Sequence, residues 1–130
     1  MFIFGVPKNT REAKVEKYPD TPVLVMNAVP VGDGNCSFQT NPKLRELLGL
    51  SLDGTEMVSI AIKDGVARIA VTTGRDVEQY LVRKNGKFSN KPIHQFVAKT
   101  LELNTAVDNE FSVEFDTTQD GINIYKLNLI

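Results

Sequence analysis

The sequence predicts a mainly β protein with two short α-helices, built from two like halves that can close around one pseudo-twofold axis. Short runs rich in valine, isoleucine and phenylalanine alternate with turn residues, as half-buried strands do. Two brief apolar stripes at helical spacing each begin beside an asparagine and a proline. Landmarks also recur along the chain. Phe38 and Phe88 are 50 residues apart, as are Pro42 and Pro92, while Asp64-Gly65 and Asp120-Gly121 are 56 apart. A repeat with unequal offsets requires a longer helix, a longer loop, or both in the second half.

Residues 1–20 read as a separate arm. REAKVEKYPD is polar and mixed in sign, and Pro22 stops it from continuing as a helix, while FIFGV is a candidate edge strand. VLVMNAV (23–29) is a compact apolar strand, PVGDGN (30–35) has turn chemistry, and CSFQT (36–40) is the return strand with Cys36, Phe38 and Thr40 on one side. Asn41 is placed to cap a helix started by Pro42. Leu44, Leu47 and Leu48 form its apolar stripe, and Gly49 ends it. Barely two turns long, this helix needs packing partners to persist. After the Asp53-Gly54 turn, EMVSIAI and ARIAV form a hairpin around Lys63-Asp64-Gly65.

The order then repeats. EQYLVR (78–83) and KFS (87–89) are strands around an Asn-Gly turn, with Ser89 or Asn90 as the next cap and Pro92 at the helix start. Ile93, Phe96, Val97 and Leu101 make its stripe. EFSVEF (110–115) alternates with Phe111, Val113 and Phe115 on one face. INIYKLNLI alternates again, with Ile122 and Ile124 out of phase with Tyr125 and Leu127.

Composition narrows the function classes. With 130 residues, 42% hydrophobic and 24% charged, the chain suits one domain or two very small ones sharing a core. It has no apolar run of membrane-spanning length, and its apolar start lacks the basic lead of a signal peptide, so a cytoplasmic protein is expected. Cys36 is the single cysteine, which excludes an internal disulfide or a thiolate-rich zinc site; a small buried residue is expected there. His94 is the single histidine and has no nucleophile or carboxylate beside it in a recognisable arrangement. A surface or half-buried structural role is expected for it. The glycines form neither a dinucleotide fingerprint nor a phosphate loop, and DTTQDG is too sparse for a calcium loop. No enzyme activity, cofactor or metal is expected.

Residues 23–71 resemble the swapped-hairpin module of the AbrB/MazE/SpoVT family. The likeness rests on NPKLRELLGLSLDGTEMVSIAIKDGVARIAV, in which Leu44-Arg45, Leu48-Gly49-Leu50 and Lys63-Asp64-Gly65 fall in the family's order. The helix start departs from that pattern, with one residue fewer between the proline and Leu-Arg. Residues 78–128 resemble a divergent copy without the Leu-Arg and Leu-Gly landmarks. The resemblance implies an interlocked β-barrel, normally made by two chains exchanging hairpins. Here it would be pseudo-dimeric within one chain, with repeats at 21–73 and 74–130. Many members of that family bind DNA through basic residues at one face of the barrel.

The charge distribution points the same way. Net charge is −1, but residues 74–94 carry five basic and two acidic groups, whereas 95–130 carry two and six. Arg83, Lys84, Lys87 and Lys91 cluster around the second-half turn, with Asn85, Asn90 and Gln79 as side chains able to reach base edges. Lys43 and Arg45 are the candidates from the first half, although Arg45 can equally pair with Glu46, Asp53 or Glu56. The matching first-half turn, VPVGDGN, holds no cation. The expectation is a small DNA-binding transcriptional regulator or architectural protein acting on double-stranded DNA, either a monomer with pseudo-twofold symmetry or a homodimer. The alternative is a protein-binding adaptor of the antitoxin or phage-accessory kind, which predicts a discrete partner lost when residues 1–20 are removed.

Overall fold

The computed structural model describes residues 17–29 and 36–130. The expected arm with its FIFGV strand (apart from residues 17–20) and the PVGDGN turn lie outside those residues. The described elements are β1 (Val23–Met26), β2 (Ser37–Thr40), α1 (Pro42–Leu48), β3 (Met57–Lys63), β4 (Val66–Val71), β5 (Tyr80–Leu81), β6 (Lys87–Ser89), α2 (Lys91–Thr100), β7 (Asn109–Gln119) and β8 (Ile122–Leu129). They form one antiparallel sheet in the order β5-β3-β4-β8-β7-β1-β2-β6. The two ends of that order meet through the 82–86 turn, where Arg83 N–H donates to Lys87 O and Gly86 N–H donates to Arg83 O, each at 2.8 Å. The result is a nearly closed eight-stranded barrel, which leaves little free strand edge. The β3–β4 hairpin lies between β5 and β8, and the β7–β8 hairpin lies between β4 and β1.

The local chemistry explains the elements. Asn41 caps α1 by accepting from Leu44 N at 2.8 Å, and the same oxygen accepts from Val23 N at 2.9 Å, tying the helix to the start of β1. Asn90 caps α2 by accepting from Ile93 N at 2.9 Å. Both helices end alike. Leu50 N–H reaches Arg45 O and Leu103 N–H reaches Ala98 O, around left-handed Gly49 and Glu102. The two Asp-Gly turns are also alike, with positive φ at both residues of each: Asp64 and Gly65, Asp120 and Gly121. That backbone matches the right-handed twist of the strands it joins.

The barrel interior is the core. Leu24, Met26, Phe38, Leu44, Val58, Ile69, Val82, Phe88, Val97 and Phe111 are fully buried, so α1 and α2 are held by packing rather than by helix propensity. Several expectations need correcting. Leu47 and Phe115, expected on the apolar faces of α1 and β7, are 36% and 56% exposed. His94 is buried to 1% exposure; its Nε2 lies 3.1 Å from Asn27 O and its ring packs 5.3 Å from Phe38. Phe96 belongs to the expected stripe of α2, yet it is 51% exposed, because the barrel accepts only the Ile93–Val97 edge of that face. The strand expected over 78–83 shrinks to Tyr80–Leu81, since β3 offers partners only at Met57 and Val58. In β8, Tyr125 and Leu127 face the core while Ile122 and Ile124 are half-buried on the other side, and a bulge between Phe115 and Thr117 sits in the paired strand.

Candidate nucleic-acid interface

The basic turn between β5 and β6 is a braced structure. Asn85 Oδ1 accepts from Lys87 N at 3.0 Å, closing the turn on itself, and Gln39 Nε2 donates to Asn85 O at 3.0 Å from the neighbouring strand. Thr40 Oγ1 donates to Gly86 O at 2.7 Å. Arg45 lies beneath: its Nε donates to Thr40 Oγ1 at 3.1 Å and its Nη2 to Thr40 O at 2.7 Å. Gly86 is required at this point. Its φ is +80°, and a Cβ there would sit 2.7 Å from both Arg45 Nε and Thr40 Oγ1.

The sequence candidates therefore divide. Arg83, Lys84, Asn85, Lys87 and Lys91 are exposed, and among the described residues none of these four cations forms an ion pair. Lys84 lies along Gly54, so the turn rests against the Asp53-Gly54 loop. Lys43 pairs with Glu46 at 3.6 Å. Arg45 pairs with none of Glu46, Asp53 or Glu56; its guanidinium is half-buried on Thr40, where it holds the turn. Asn90 is occupied by its cap, and Gln79 Oε1 is buried without a partner. The brace of Thr40, Arg45 and Gln39 was not visible in the sequence, because it joins residues some 46 positions apart.

A second feature lies at the base of the same hairpin. Ile60, Tyr80, Pro92, Ile93 and Phe96 line an open groove of 310 Å³ with Glu78 on its wall. Burial beside the Glu78 carboxylate pushes the Tyr80 phenol up to about 12. Among the described residues no group of three His, Cys, Asp or Glu side chains is placed to hold a metal ion, and no helix is long and apolar enough to cross a membrane.

The fold is thus a nearly closed antiparallel barrel with a braced basic turn at one end. No protein-family model, curated protein or solved structure matches the chain.

Proposed function

We propose that the protein is a small DNA-binding regulator whose barrel is a single-chain counterpart of a swapped-hairpin dimer, with repeats at 21–73 and 74–130. The circular strand order supports the repeat: exchanging β1–β4 with β5–β8 returns the same order. Each hairpin is flanked on both sides by strands of the other half, as a hairpin exchange requires. Residues matched by the two sequence offsets also pair directly. Phe38 faces Phe88, 50 residues on, and Ile69 faces Tyr125, 56 residues on. Those are the two places where a twofold axis would cross the barrel wall.

The observation that carries the DNA reading is the braced turn and its flanks, where Arg83 and Lys84 on the turn, Lys87 in β6 and Lys91 at the start of α2 are exposed and form no ion pair among the described residues. Such cations release counterions from a phosphate backbone, and a rigid turn presents them with little ordering cost. Arg83, Lys84, Lys87 and Lys91 neutralise phosphates in this reading, and Asn85, exposed on the turn, is the side chain among them able to reach a base edge. Arg45 serves by holding the turn, and Lys43 is a peripheral contact competing with Glu46.

The test is retention of the protein on double-stranded DNA across a salt gradient. Binding with a log–log salt slope of about −3 to −4 is expected for four contacts. The R83E/K84E/K87E variant should lose it. Absence of retention at low salt would overturn the reading, and a discrete co-purifying protein lost on removing residues 1–20 would favour the adaptor instead.

A further inference from the structure

We infer that the cleft at one end of the β4–β8 ladder binds the oxyanion group of a small ligand, a phosphate or a carboxylate, through Arg75. The two strands pair only over Arg68–Ala70 and Ile124–Lys126, centred on Ile69 and Tyr125. Beyond each end of that ladder lies a cavity. One, of 230 Å³, is lined by Val71, Thr73, Arg75, Gly121, Asn123 and Tyr125, among others. The other, of 400 Å³, has Leu127, Leu129, Gly65 and Ala67, each 56 positions from Val71, Thr73, Gly121 and Asn123 in turn. The two clefts are therefore equivalent on the proposed repeat, yet their chemistry differs. Where the larger has Ala67 and Leu129, the smaller has Asn123 and Thr73.

Charge decides what the smaller cleft takes. Arg68 and Lys126, the cations of the ladder itself, are paired: Arg68 donates to Asp116 at 2.7 Å, and Lys126 lies 3.5 Å from Glu114. Arg75 forms no ion pair among the described residues, and no carboxylate lines its cavity. Its backbone is fixed, since Arg75 N–H donates to Thr72 O at 2.9 Å after left-handed Gly74. Its Nη2 stands 3.6 Å from where a Cβ on Gly121 would be, so the guanidinium lies beside the Asp120-Gly121 turn. Further donors line the same cavity. Asn123 Oδ1 accepts from Thr118 Oγ1 at 3.0 Å, which leaves its amide nitrogen without an acceptor among the described residues. Thr73 Oγ1 accepts from Met57 N at 2.8 Å but donates to Met57 O only at 3.4 Å, so its hydroxyl is able to turn to a ligand. A guanidinium fork beside amide and hydroxyl donors is the chemistry that recognises phosphate and carboxylate. The volume falls below the roughly 300–1,000 Å³ of sites for larger ligands, which suits a small anion. None of Arg83, Lys84, Lys87 and Lys91 lines this cavity, so the site stands independently of the basic turn.

The experiment is an amide NMR titration of the full chain with inorganic phosphate and, separately, with acetate, at an ionic strength held constant with sodium chloride. Saturable shifts at Thr73, Arg75, Gly121 and Asn123 are expected. Shifts with phosphate alone assign a phosphorylated ligand, and shifts with acetate alone assign a carboxylate. Arg75→Ala should weaken binding about tenfold and Asn123→Ala about threefold. Both residues are exposed, so the remainder of each spectrum should be unchanged. The R83E/K84E/K87E variant should bind the anion as the wild type does. No saturable shift with either anion, the same shifts with chloride alone, or binding that survives Arg75→Ala overturns the site and leaves the DNA reading standing. Loss of the shifts in R83E/K84E/K87E overturns it too, because the anion would then be held by the basic turn.

Discussion

Phe38 and Phe88 face each other across the β2–β6 ladder, their ring centroids 5.0 Å apart and their planes 14° from parallel. Tyr80 extends the stack, 6.3 Å from Phe88. The strand pair that joins the two halves of the chain is thus sealed by the largest side chains of the core. Replacing Phe88 by alanine should cost about 3–5 kcal/mol in urea unfolding. Phe38→Ala and Phe88→Ala should be non-additive, because each removes the other's partner.

The brace under the basic turn predicts a separable effect. Gly86→Ala should destabilise by roughly 2 kcal/mol, from the left-handed φ together with the clash against Thr40 and Arg45. Arg45→Ala should leave the salt slope of DNA binding near its wild-type value while weakening the affinity. Lys87→Ala should lower the slope by about 1, as the loss of a phosphate contact does.

Glu102 holds the left-handed position at the end of α2, where α1 has Gly49. A side chain in that conformation costs roughly 1 kcal/mol. Glu102→Gly should therefore stabilise the protein by up to about 1 kcal/mol by thermal unfolding, and Gly49→Ala should destabilise it by a similar amount.

Tyr80 sets an alkaline limit. Its pKa rises from an ordinary 10.0 to about 12 on folding, so the folded state keeps a proton that the unfolded chain releases. The stability it contributes is fully present below pH 10 and is lost as the pH rises through 12. Tyr80→Phe should flatten the fall in stability across that window; an unchanged slope would show that another group is responsible.

The interleaved hairpins predict how the chain divides. Residues 17–73 and 74–130 should each be unfolded alone, because β3 pairs with β5 and β7 with β1. Mixed, they should form a 1:1 complex with the circular dichroism of the intact protein. Independent folding of either fragment would contradict the pseudo-dimeric barrel.

Much of this architecture was legible residue by residue. The Asn41-Pro42 start, the Gly49 stop and the Asp-Gly turns depend on backbone chemistry within a few positions, and each stands where the sequence places it. On the proposed repeat, the unequal offsets would fall where lengths differ: α2 has ten residues against seven in α1, and β7 has eleven against seven in β3. In that reading the extra length lies in the helix and in a longer hairpin. Phe96 and His94 were misjudged because helical periodicity says which residues share a face, not how much of that face a neighbour covers.

Alternation of apolar residues, caps and turn glycines determined the strands, both helices and the cationic character of residues 83–91, since these depend on side-chain period and local backbone energetics. Strand partners, the burial of His94, the turning of Arg45 onto Thr40 and the exposure of Phe96 beside its groove were decided by tertiary structure. Each brings together groups tens of residues apart, and their placement follows from how the barrel closes: β6 beside β2 puts Gly86 against Thr40 and Arg45, and the short β5 leaves the face of α2 open.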